Sequence, residues 1–217
     1  MSVVISPSIL AGNFLNLQES LDIINSSEAD WVHVDVMDGV FVPNISFGFP
    51  ILKAVSAYCS KFIDVHLMIE QPNRYFSMLH EAGAQGLSIH FEGNHHLHRD
   101  LSEIKRLGMK AGLALNPQTS LETVKELLSS IDYLLLMSVN PGFGGQRFIE
   151  DTVNKVKQAS ILRDSLSLDF SIQVDGGVNL DNCGRLISAG ADNLVAGSAV
   201  FKSTNPVETI AKLKSSL

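Results

Sequence analysis

At 217 residues the chain is long enough for one large domain or two small ones, and a single α/β barrel usually runs slightly larger. Hydrophobic residues make up 45% and charged residues 18%, so a sizeable core is available. A net charge of -7 and an aromatic content of 7% argue against nucleic-acid binding, which calls for a basic stripe or a base-stacking surface.

The predicted elements alternate from end to end. VVISPSIL (3–10) opens as a strand, and an amphipathic stretch follows at 14–24. WVHVDVMD (31–38) precedes a helix pattern at 51–58, FIDVHLMI (62–69) one at 73–81, and GLSIHFE (86–92) one at 97–107. KAGLALN (110–116) precedes 121–128, YLLLMSVN (133–140) precedes 148–162, FSIQVDGG (170–177) precedes 181–188, and NLVAGSAV (193–200) precedes 206–214. The strands are near-continuous apolar runs, as in parallel strands covered on both faces. Gly83-Ala84 and Gly190-Ala191 read as helix ends feeding tight turns into strands. Eight such units without a linker predict a single (β/α)8 TIM barrel domain over residues 1–217. An open doubly wound sheet would carry GxGxxG after its first strand, where SPSILAGNF stands instead.

The N-terminus has neither a basic region nor a long apolar stretch, so no signal peptide is expected. No apolar run approaches the roughly 18 residues of a membrane span. Cys59 and Cys183 are far apart and outside any CxxC spacing, which reads as free thiols in a reducing compartment. The expectation is a soluble cytoplasmic protein that binds no membrane and no nucleic acid.

Barrel active sites sit at the C-terminal ends of the strands, and side chains alternate along a strand with period two. In the second strand Trp31, His33, Asp35 and Met37 share one face, leaving Val32, Val34 and Val36 for the helices. In the third, Asp64, His66 and Met68 share a face; in the seventh, Gln173 and Asp175 do. His33, Asp35, His66 and Asp175 together suit a divalent ion. For any one of them, a lone buried group satisfied by hydrogen bonds is the better reading. For the set that reading is weaker, because buried charges are rare unless paired or metal-bound. Asp64 supports a ligand or is itself a satisfied buried carboxylate. Ser8 touches a ligand or only its own backbone. Met37, Met68 and Met137 are core packing or a thioether lining over a site.

Glycine forms a second pattern. NPGFGGQ (140–146) follows the sixth strand, DGGV (175–178) ends the seventh, and Gly197-Ser198 runs through the eighth. Any single one reads as an ordinary turn. Together, at adjacent strands, they favour a phosphate site made of backbone N–H groups. The NPGFGGQ loop is long enough to serve as a mobile cover. His95, His96 and His98 read as solvated loop or first-turn residues, and Asp38 as a cap for the turn GVFVPN.

SPSILAGNF, HVDVMDGVFVPN, DVHLMI, GLALNP, LLMSVNPGFGGQRF, VDGGVN and GADNLVAGSAVF resemble the ribulose-phosphate 3-epimerase family from end to end and in the family's order. HFEG (90–93) differs mildly from the HPEA-like string associated with the family, at a position where no ligand is expected. The resemblance implies a barrel of the ribulose-phosphate-binding type that interconverts D-ribulose 5-phosphate and D-xylulose 5-phosphate in the pentose phosphate pathway. It implies one divalent ion (Zn, Fe or Mn) on His33, Asp35, His66 and Asp175, with Asp35 and Asp175 also the acid/base pair. It implies substrate contacts at Ser8, His66, Asp175 and Gly176, a covering loop of Gly142, Phe143, Gly144 and Gly145, and phosphate held by Gly177, Gly197 and Ser198. A homo-oligomer is expected by analogy with other such barrels.

Inverting a carbon beside a ketone needs a proton taken from one face and another delivered to the opposite face, hence two carboxylates on separated strands. The nearest rival is a hexulose (allulose) 6-phosphate 3-epimerase, which shares the chemistry. A decarboxylase of related fold would carry DxKxxD, where Met37 stands in place of the lysine. A non-catalytic sugar-phosphate binder would have no need of both Asp35 and Asp175.

Overall fold

The computed structural model describes residues 3–216. β1 (Val4–Pro7), β2 (Trp31–Met37), β3 (Phe62–Met68), β4 (Gly86–His90), β5 (Lys110–Leu115), β6 (Tyr133–Met137), β7 (Ser171–Asp175) and β8 (Asn193–Ala196) follow one another round a single parallel sheet. Ser8, just past β1, bridges His33 of β2 in parallel register and closes the ring. Asp30 reinforces the seam: its N–H donates to Ile5 O at 3.0 Å, and its carboxylate accepts from Ile5 N–H at 2.9 Å. The chain is a (β/α)8 barrel.

The outer layer is α1 (Leu17–Ser26), α2 (Phe49–Tyr58), α3 (Phe76–Glu81), α4 (Leu97–Arg106), α5 (Thr152–Ser165), α6 (Cys183–Ala189), α7 (Ser198–Phe201) and α8 (Pro206–Lys214). The helix expected at 121–128 is a 3-10 helix, Leu121–Ser130. Leu121, Val124 and Leu128 are buried and Leu127 is partly buried, so one apolar side of this helix packs against the barrel. The expected eighth strand also ends early, at Ala196, and the chain turns into the extra short helix α7 after Gly197. Gly190 ends α6 at φ 109°, its N–H shared between Leu186 O and Ile187 O, which confirms the expected glycine cap.

Period two sorts the strands as expected. Val32, Val34, Val65 and Leu67 join the large core between sheet and helices. The barrel interior is unusual in being largely polar: Ser6, His33, Asp35, Asp64, His66, Ser88, His90, Gln173 and Asn193 are all buried. At the N-terminal end, Trp31 packs on Phe62 and Tyr133 with ring centroids 4.5 and 5.9 Å apart, and Lys110 Nζ lies 5.7 Å from the Trp31 ring. These rings floor the barrel, so the polar groups open only toward the C-terminal mouth. Among the described residues no helix is long and apolar enough to cross a membrane.

Candidate active site

β2 delivers His33 and Asp35, β3 delivers His66 and β7 delivers Asp175 to one point, where one ligand atom of each lies within 4.8 Å of all the others. His33 Nε2 is 3.4 Å from Asp35 Oδ1 and 3.8 Å from Asp175 Oδ2. His66 Nδ1 is 3.3 Å and 3.7 Å from the same two oxygens. Both imidazoles are fully buried.

Asp64 decides how His33 presents itself. Its carboxylate lies 2.8 Å from His33 Nδ1 and accepts from Tyr133 O–H and Gln173 Nε2, each at 2.7 Å. A carboxylate only accepts, so His33 carries a proton on Nδ1 and, when neutral, a lone pair on Nε2. That Nε2 is buried and has no hydrogen-bond partner. Two neutral imidazoles and two carboxylates leave a double negative charge, which a divalent ion with N/O preference balances. The orphaned nitrogen and this donor set fit such an ion.

Without an ion, protons must supply the charge. Burial pulls His33 down, but Asp35 and Asp64 raise its pKa well above the ordinary value. Burial likewise opposes protonation of His66, and Asp175 and Asp35 raise it. Burial would raise the Asp35 carboxyl, yet His33 and His66 hold it well below the usual carboxylate range. The site therefore attracts positive charge in either form.

Above the four residues lies a cavity of about 300 Å³. Asp35, Asp175 and Ser8 reach its wall, and Met37, Met68 and Met137 line it with thioethers. Ser8 Oγ donates to Asp35 Oδ2 at 2.6 Å, leaving Oδ1 turned to the histidines. His66, expected at the substrate as well as at the metal, is not on the cavity wall. Gly142, Phe143, Gly144 and Gly145 line one side, and Gly176, Gly177, Gly197 and Ser198 another. At Gly177 (φ 66°) a Cβ would sit 2.9 Å from Phe148 N, so the bare backbone is required there.

Three features escaped the sequence reading. Asn44 Nδ2 donates to Gly142 O at 2.7 Å, tying the loop after β2 to the loop after β6. Asp38 does cap its own turn, accepting from Val40 and Phe41 N–H at 2.8 and 2.9 Å, but it also accepts from Glu70 N–H at 2.8 Å in the loop after β3. His90 Nε2 lies 2.9 Å from His66 Nε2, and His90 Nδ1 lies 3.0 Å from Glu92 Oε2. Burial lowers the His90 pKa to about 4, so this ring is neutral at pH 7. The signal for His90 was present: Ser88 and His90 alternate with Leu87 and Ile89 along β4. His95, His96 and His98 are exposed, as expected.

Residues 4–201 match the model of the ribulose-phosphate 3-epimerase family. The chain is 45% identical to ribulose-phosphate 3-epimerase of Synechocystis sp., over 99% of this chain and 94% of that protein. It is 44% identical to the Aquifex aeolicus ribulose-phosphate 3-epimerase, over 98% and 96%. Among solved structures, KGPDC from Streptococcus mutans superposes with a TM-score of 0.74 at 13% identity, over 100% and 97% of the two chains, a likeness of fold.

Proposed function

The chain belongs to the ribulose-phosphate 3-epimerase family and is an isomerase, and from that premise we propose that it interconverts D-ribulose 5-phosphate and D-xylulose 5-phosphate by a two-base proton transfer at C3. The observation that carries the proposal is the placing of Asp35 and Asp175. They stand on β2 and β7, separated round the ring by β1 and β8, and both reach the same cavity.

One carboxylate takes the C3 proton, and the electron pair moves toward the C2 carbonyl to give an enediolate. The other, protonated, returns a proton to C3 from the opposite face. In the reverse reaction the two exchange roles. A divalent ion held by His33, Asp35, His66 and Asp175 supplies Lewis-acid stabilisation for the negative charge that develops on the substrate. Positioned acid/base groups contribute roughly 10²–10⁴-fold. Ser8, hydrogen-bonded to Asp35, fixes the direction from which that carboxylate works. The three methionines carry no exchangeable acid, so they shield the enediolate from stray proton donors. Backbone N–H groups at Gly176, Gly177, Gly197 and Ser198 bind the phosphate, and the loop from Gly142 to Gly145 covers the sugar. The phosphate lends remote binding energy for orientation.

All of this lies within one (β/α)8 domain, and the free thiols Cys59 and Cys183 suit a reducing compartment such as the cytoplasm. The test is turnover of D-ribulose 5-phosphate against D-allulose 6-phosphate by zinc- or manganese-loaded protein. Faster turnover of the pentose phosphate supports the proposal. Preference for the hexulose phosphate, or no turnover of either, refutes it.

A further inference from the structure

His90 and Glu92 touch neither the cavity wall nor the proposed ligand atoms, yet they form a directed chain ending on a proposed ligand. We infer that Glu92, acting through His90, is a positioning group that fixes His66 as the tautomer with its proton on Nε2 and its lone pair on Nδ1, facing Asp35 and Asp175. The inference rests on the metal-site reading given above.

Hydrogen-bond polarity carries the argument. His66 Nε2 and His90 Nε2 face each other at 2.9 Å across the interior of β3 and β4, a gap that holds one proton. Glu92 Oε2, 3.0 Å from His90 Nδ1, only accepts, so His90 carries its proton on Nδ1. The neutral ring then accepts at Nε2. His66 must therefore donate from Nε2, which frees Nδ1, the atom 3.3 Å from Asp35 Oδ1 and 3.7 Å from Asp175 Oδ2.

Glu92 is itself anchored. Its Oε1 accepts from the backbone N–H of Asn116 at 2.9 Å and from the Thr119 hydroxyl. Lys155 of α5 pins that segment by donating to Asn116 O and Pro117 O at 3.0 and 2.8 Å. The Phe41 ring packs on His90 at 4.7 Å between centroids. Asp64 does for His33 what this longer chain does for His66, so each imidazole has its own orienting carboxylate. This also gives HFEG a role, although neither of its charged or titratable residues is a ligand.

Glu92→Gln tests the direction of the chain with no change of shape. Asn116 N–H still requires an acceptor, so the new amide oxygen turns to it and the NH₂ faces His90 Nδ1. His90 then holds its proton on Nε2 and donates to His66, whose proton moves to Nδ1. Long-range ¹H–¹⁵N spectra of histidine-labelled full-length protein, metal-free and zinc-loaded, read both rings, and chelator competition gives zinc affinity. Parent protein should show His90 as the Nδ1–H tautomer with or without zinc. The Glu92→Gln variant should show the Nε2–H form, with zinc affinity weakened about 10- to 100-fold. A purely structural role would leave the His90 tautomer as in the parent protein, which would overturn the inference. So would a parent His90 protonated on Nε2, a result that needs no variant to fold. If parent protein shows the expected tautomer but binds no zinc, the metal-site reading fails while the polarity of the chain stands.

Discussion

Asp64→Asn keeps the shape of a fully buried side chain and removes its charge. Three donors now point at that carboxylate: Tyr133 O–H, Gln173 Nε2 and His33 Nδ1, at 2.7, 2.7 and 2.8 Å. Burial works against the charge, but the Asp64 pKa is still held below its ordinary value, with His33 as the leading offset and Gln173 and Tyr133 adding to it. The charged form is thus the one the fold favours. A hydrogen bond to a charged group contributes roughly 1.5–3 kcal/mol, and a neutral one roughly 0.5–1.5. The amide keeps one acceptor oxygen, for His33 Nδ1 and Gln173 Nε2, and turns its NH₂ to the Tyr133 hydroxyl, which must reverse to accept; with each of the three bonds weaker by about 1 kcal/mol, the loss is about 3 kcal/mol. In a chain of this size that lowers the melting temperature by roughly 6–12 °C. The amide also holds the His33 tautomer less firmly, and zinc affinity should fall about 10- to 100-fold. Calorimetry of the metal-free variant reads the first effect and chelator competition the second. A metal-free melting temperature within about 2 °C of parent, where 1 kcal/mol should move it by about 2–4 °C, with unchanged zinc affinity, would refute the view that Asp64 orients His33.

Asp35→Asn and Asp175→Asn should each lower epimerisation by at least about 10²-fold while circular dichroism reports an intact barrel; near-normal activity in either would sink the two-base mechanism. Zinc binding should weaken as pH falls. His33 and His66 both have raised pKa values, so below them the ion must displace protons. The dissociation constant should rise by up to about 100-fold per pH unit when both protons are released. Calorimetry in buffers of different ionisation enthalpy counts the protons, and a count of zero contradicts the charge argument. Gly177→Ala forces a side chain to φ 66° and into the Phe148 backbone. Stability should drop by roughly 1–2 kcal/mol, and KM for the sugar phosphate should rise more than kcat falls. An unchanged KM would place the phosphate elsewhere.

Much of this was legible in the sequence because a strand's period of two is rigid. His33 and Asp35 alternate with valines, and His66 alternates with Val65 and Leu67, so the inward set followed once a barrel was inferred. The four proposed ligands do converge. The loop contacts were not legible, since Asn44 and Gly142 are 98 residues apart and no local pattern links them. Nor was the choice of imidazole nitrogen, which depends on what stands behind each ring. Asp64 lies behind His33 and His90 behind His66, and those pairings exist only after the strands take their register. Gly197 was legible as a loop glycine by type, but its power to end β8 and start α7 shows only in the backbone it adopts.

The central claim is that a proton leaves C3 on one face and a solvent-derived proton returns on the other. Incubating metal-loaded protein with D-ribulose 5-phosphate in D₂O tests it directly. Xylulose 5-phosphate should carry deuterium at C3, and recovered ribulose 5-phosphate should acquire it more slowly, because return requires the base on the original face to have exchanged. Product formed without C3 label would contradict the account.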